Sequence, residues 1–150
     1  MKNIYKEVHR RALAERVRRL TPDAERRWGT MNASQMICHL GDQIRVATGD
    51  IPSSSSPASG PMSWPGVKQF IIYVMPWPKG KVQTARSMLT TKPDQFEADR
   101  EALLQSMELF AERGPEAPLT PHPLFGKLSN NDWGGLIARH IDYHLNQFGA

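Results

Sequence analysis

The 150-residue chain reads as an all-α protein, a four-helix bundle whose long crossover carries one short extra helix. Three observations lead there. Four segments repeat apolar residues at helical spacing, and most of them open or close on residues suited to helix ends. Outside them only one short apolar stretch looks strand-like, and it has no second strand to pair with.

The first helix is expected over about residues 3–19, with Leu13, Val17 and Leu20 at i, i+4 and i+7; Thr21-Pro22-Asp23 stops it. The second opens on Asn32, with Gln35 placed to complete a capping box. Its stripe of Ala33, Met36, Ile37, Leu40, Ile44 and Ala47 runs to Gly49. Residues 49–66, rich in Ser, Pro and Gly, are expected to hold no regular structure. Val67 to Met75 is the ambiguous stretch; lacking a partner strand, it reads as a short helix ended by Pro76 and Pro78. A further helix is expected from about Pro93 to Arg113, with Asp94 and Glu97 at its positive end and Phe96, Leu103, Met107 and Phe110 as its buried stripe. The last runs from Ser129, with Asp132 three residues on, to Gly149. The crossover of roughly 45 residues exceeds ordinary loop lengths, so it is expected to wrap the outside or roof a site.

The length suits one domain over residues 1–150 with a working core. A single Cys excludes a disulfide framework and makes a reducing cytoplasm the expected compartment. The opening residues carry no apolar core of a secretory signal, and Phe70 to Met75 is far too short to cross a bilayer, so no membrane is expected. A net charge of +4 raises the question of nucleic acid, since nine of the nineteen Lys and Arg residues lie in the first 27 positions. These do not alternate with aromatics as a single-strand platform would require. Arg10, Arg11, Arg16, Arg18 and Arg19 read instead as the solvated face of the opening helix, which leaves nucleic acid an unlikely partner. A homodimer through exposed helix faces would suit a helical protein of this size.

The last helix carries the chemical information. His140 and His144 fall within its apolar stripe of Trp133, Leu136, Ile137, Ile141, Leu145 and Phe148. Spaced i, i+4, they lie about 40° apart on one face, the spacing at which two imidazoles ligate one metal. Two separate hydrogen-bonded core histidines are the alternative, which requires two independent partners because an unsatisfied buried polar group costs about 1–3 kcal/mol. Taken alone, His39 reads as a half-exposed histidine at a groove. It sits one turn from Met36, at the edge of the second helix's stripe, from where it can also reach a neighbouring helix. His9 lies among charges. His122 lies between two prolines and is expected either to orient a group of the site or to bond backbone.

The segments QMICHL, HPLFGKLS and WGGLIARHIDYHLNQFG together resemble the DinB-like superfamily, and within it a branch whose domain has no assigned function. The resemblance extends from LTPDAERRWGTMNASQM to the C-terminus. It implies a four-helix bundle with a long crossover, and a divalent metal held by one histidine of the second helix and an HxxxH pair of the last. Those positions are His39, His140 and His144 here.

Three neutral histidines would leave an ion with open positions, as in a catalytic site. Such an ion, Zn, Ni or Fe on ligand type, can lower the pKa of a bound water or polarise a substrate. Wider relatives that activate low-molecular-weight thiols imply a small-molecule substrate of that kind, which points to a transferase or hydrolase. A protease of the HExxH type is excluded, because Ile141 stands where the general base would be, and Asp142 lies about 200° around the helix from His140. Gln43 and Tyr143 join His122 as candidates for supporting the ligands. Cys38 reads as a buried, inert thiol. The competing readings are a non-catalytic module stapled by the histidines or their metal, and a stress-response or nucleic-acid binder using the basic first helix.

Overall fold

The computed structural model describes residues 2–53, 60–80 and 86–150. Part of the Ser-rich stretch expected to be irregular, residues 54–59, lies outside them. The described residues form five α-helices: α1 (Glu7–Arg18), α2 (Ala33–Thr48), α3 (Val67–Tyr73), α4 (Phe96–Glu112) and α5 (Asn130–Gln147). Two short 3₁₀ turns, Pro61–Ser63 and Arg86–Met88, lie in the crossover between α2 and α4. No strand occurs among the described residues, and a lone antiparallel bridge joins His122 to Gly126.

Helix ends follow the hydrogen-bonding chemistry of their sequences. Asn32 accepts from the Gln35 backbone at 2.9 Å while Gln35 Oε1 accepts from the Asn32 backbone at 3.0 Å, closing the expected capping box. Gly49, at φ 87°, takes the left-handed turn that ends α2. Ser129 Oγ caps α5 by accepting from the Asp132 backbone at 3.1 Å.

Two boundaries differ from expectation. α1 begins at Glu7 and not near residue 3, because the preceding residues are tied to α5. The Ile4 N–H donates to the Gly134 carbonyl at 3.0 Å, and Asn3 Nδ2 donates to the Asn131 carbonyl at 3.2 Å. Gly134 permits this approach: a Cβ there would lie 2.6 Å from Asn3 Oδ1 and 2.7 Å from the Tyr5 ring. α4 begins at Phe96, since the Asp94 N–H is captured by the Asp99 carboxylate at 3.0 Å and Gln95 is extended.

α3 is helical, and α5 explains how it is held. Arg139 donates to the carbonyls of Ile71, Ile72 and Met75, satisfying the end of α3. At the other end of the contact, Tyr73 and Gln69 donate to the Asp132 carboxylate in the first turn of α5.

α2 packs on α4 and α5, α1 packs on the same two helices, and the Arg86–Met88 turn packs on α2. Between them lies a core that includes Leu13, Val17, Met36, Ile37, Leu103, Met107, Phe110, Trp133 and Ile141. Val46, Ile51 and Met88 form a smaller apolar cluster that seats the crossover. Three arginines of α1 and the one that follows it are engaged within the chain: Arg10 with Glu108, Arg11 with Glu7, Arg16 with Asp142 and Arg19 with Glu15. Among the described residues no helix is long and apolar enough to cross a membrane.

Candidate metal centre

His140 and His144 project from one face of α5, and α2 brings His39 across to meet them. His39 Nε2 lies 3.0 Å from His140 Nε2, and His144 Nε2 lies 3.0 Å from His140 Nε2. One nitrogen from each ring falls within 4.8 Å of the others. His39 is only 2% exposed, more deeply buried than its edge position in the α2 stripe suggested. The crossover reaches it there, because the Met88 carbonyl meets its ring.

The opposite nitrogen of each ring determines its tautomer. His39 Nδ1 lies 2.8 Å from the Met88 carbonyl oxygen, which can only accept, so Nδ1 carries the proton. His140 Nδ1 lies 2.6 Å from Gln43 Oε1. His144 Nδ1 lies 2.7 Å from Gln147 Oε1. The Gln147 amide is oriented independently, since its Nε2 donates to the Trp28 carbonyl and turns Oε1 toward the histidine. His39 and His144 are therefore protonated on Nδ1 and bare on Nε2, the Gln43 oxygen facing His140 Nδ1 places its proton likewise, and His140 Nε2 sits 3.0 Å from the Nε2 of each of the other two.

Protons do not fill that point. Burial lowers the pKa of His39, and it lowers that of His140 well below the ordinary value, with the neighbouring histidines adding to the effect. His144 is pushed down to about 4, first by burial and then by His39. All three rings are neutral at neutral pH, and with each proton on Nδ1 the short Nε2···Nε2 contacts bring acceptor to acceptor. Three divergent N–H groups held by carbonyl oxygens behind three convergent lone pairs make up the ligand arrangement in which imidazoles hold a metal ion.

The candidate supporting residues separate. Gln43 belongs to the cluster through His140. Tyr143 meets it only by its ring, edge-on to His144 at 5.2 Å between centroids, while its hydroxyl donates to the Pro78 carbonyl at 3.2 Å and tethers the crossover. His122 makes no hydrogen bond to the three rings. Its Nδ1 accepts from the backbones of Leu124 and Phe125 at 3.0 and 3.2 Å, and its ring packs on Trp133. Asp142 faces away, toward Lys2 and Arg16. The Cys38 thiol is buried and pushed up to about 12, by burial first and then by Asp99. It borders a cavity of about 60 Å³ along the α2–α4 seam that no histidine lines.

Three participants went unnoticed in the sequence. Gln147 stands at i+3 from His144, a spacing that could have pointed to it. The Met88 carbonyl had no side-chain signal. The Trp77 ring lies 6.1 Å from the His140 ring and 5.7 Å from that of Tyr143, centroid to centroid.

Over residues 7–150 the chain matches the family described as a protein of unknown function (DUF1569). The chain belongs to the DUF1569 family. The matched span takes in all five helices of this DUF1569 protein, its three clustered histidines, and Gln43 and Gln147. No curated protein and no solved structure matches it.

Proposed function

We propose that this DUF1569 chain is a metal-dependent enzyme acting on a small molecule, with one divalent ion held by Nε2 of His39, His140 and His144. The observation that carries the reading is the set of three Nδ1–H groups tied to carbonyl oxygens, which leaves three bare Nε2 lone pairs facing one another. Without a cation that arrangement is repulsive and desolvated; with one, each lone pair has a partner. Nitrogens about 2.0–2.1 Å from a zinc-like ion and about 90–109° apart lie about 2.9–3.4 Å from each other. The 3.0 Å separations of His140 from His39 and from His144 fall in that range, and all three nitrogens lie within 4.8 Å of one another. Zn, Ni and Fe all suit imidazole ligands. The resemblance to DinB-like proteins supports taking α1, α2, α4 and α5 as a four-helix bundle of that type. It also favours a low-molecular-weight thiol as substrate, in a transferase or hydrolase reaction. When bound, the ion would supply Lewis acidity, lowering the pKa of a coordinated water or thiol.

A second reading has its own support. The rings are at most 9% exposed, and the cluster joins α2, α5 and, through Met88, the crossover, which is how a structural staple would be placed. Metal stoichiometry and thermal unfolding of the purified chain test the foundation common to both. The wild type should bind one equivalent of Zn²⁺ and melt about 5–10 °C higher at 100 times Kd, because that concentration adds about 2.7 kcal/mol. His140→Ala should lose both effects. Binding of less than a tenth of an equivalent by the wild type would refute the proposal. A thiol or ester turned over only by the loaded wild type would favour the enzyme over the staple.

A further inference from the structure

The partners behind the three imidazoles are chemically alike in one respect. His39 is backed by the Met88 carbonyl, His140 by the Gln43 amide and His144 by the Gln147 amide. All three are neutral oxygens. A carboxylate in this place would make the imidazole more basic and put negative charge near the ion. The Asp42 carboxylate, whose charge acts on His39, bonds to none of the rings: it accepts from the backbones of Thr90 and Thr91 and from the Thr91 hydroxyl. Among the described residues no carboxylate is hydrogen-bonded to any of the three rings.

We infer that Gln43 and Gln147 set the ligand class of the centre: by backing two imidazoles with neutral amides they add no negative charge behind the ion, so the open position takes a small anionic ligand, such as a carboxylate or thiolate group, ahead of a neutral donor. The inference rests on the metal reading above. Its physical basis is that a buried, doubly charged ion with only neutral ligands is poorly solvated, and an entering anion relieves that cost where a neutral donor does not. Gln147 is held for this role on both sides. Its Nε2 is anchored on the Trp28 carbonyl, and Gly29, at φ 78°, leaves the room: a Cβ there would lie 2.5 Å from that nitrogen.

The test uses the full chain loaded with Co²⁺, whose visible spectrum reports its ligands. Azide serves as the anionic probe and imidazole as the neutral one. Gln43→Glu should still bind one Co²⁺ yet lose roughly tenfold or more in azide affinity, since the added carboxylate acts at short range in a low-dielectric site. Its imidazole affinity should change less than about threefold. Gln147→Glu should behave likewise, and carries the test if Gln43→Glu does not fold. Loaded variants whose azide and imidazole affinities move together, or do not move, would overturn this inference and leave the metal reading standing. A wild type that takes up no Co²⁺ would overturn both.

Discussion

His122 and the three clustered histidines are all buried, and hydrogen bonding separates their roles. His122 uses Nδ1 as an acceptor for two backbone N–H groups, so a proton there would break both bonds as well as charge a buried ring. Burial pushes its pKa down to about 3 from 6.5. The unfolded chain then binds the extra proton between these values, so stability is fully present above about pH 6.5 and falls as pH drops toward 3. The loss is on the order of 3–5 kcal/mol across that interval. In His122→Asn the side-chain oxygen can accept the same two N–H groups without titrating. Denaturant unfolding from pH 7 to 4 should show the variant losing less stability than the wild type, and equal losses would contradict the assignment. At this scale the sequence was partly legible. The spacing of His140 and His144 alone put both on the core-facing side of α5, because helical geometry determines it. The fate of His39 and His122 depended on residues distant in sequence, Met88 for one and the Leu124–Phe125 turn for the other, and no local pattern announces those.

Among the elements, the crossover is what turns two helices into a site. Its Arg86–Met88 turn supplies the carbonyl that orients His39, and Asp42 on α2 secures the residues that follow. The Asp42 carboxylate, wholly buried, accepts from Thr90 N at 2.7 Å and Thr91 N at 2.8 Å. Asp42→Ala would leave those donors without an acceptor, at a cost of about 2–4 kcal/mol. It would also free the Met88 carbonyl, so metal affinity should fall along with the denaturation midpoint. Asp42→Asn keeps one acceptor oxygen and should lose less of both. Unchanged metal affinity in a destabilised Asp42→Ala would show that the clasp supports the fold alone. Helices α2 and α5 were legible to the residue at their starts because Asn32 and Ser129 declare themselves chemically. α1 and α4 began later than their patterns suggested. In each case the preceding N–H groups had other partners: His9 Nδ1 for Asn3, the Gly134 carbonyl of α5 for Ile4, Asn3 Oδ1 for Tyr5, and the Asp99 carboxylate for Asp94.

For the whole molecule, the fold serves to bring one helix face from the middle of the chain against another from its end. His39 and His140 are 101 residues apart, and their contact depends on α2 and α5 packing together around Ile37, Leu40, Ile137 and Ile141. The all-helical architecture was legible because periodicity and capping agreed along the chain. Which rings would meet was not, since that follows from packing. The most direct test of the centre is anomalous diffraction at the metal's absorption edge, on a crystal of the Zn²⁺-loaded chain. One peak per chain is expected, about 2.0–2.1 Å from Nε2 of each of His39, His140 and His144. A peak on Cys38 and Asp99, one on the Nδ1 side of the rings, or none at all would contradict it.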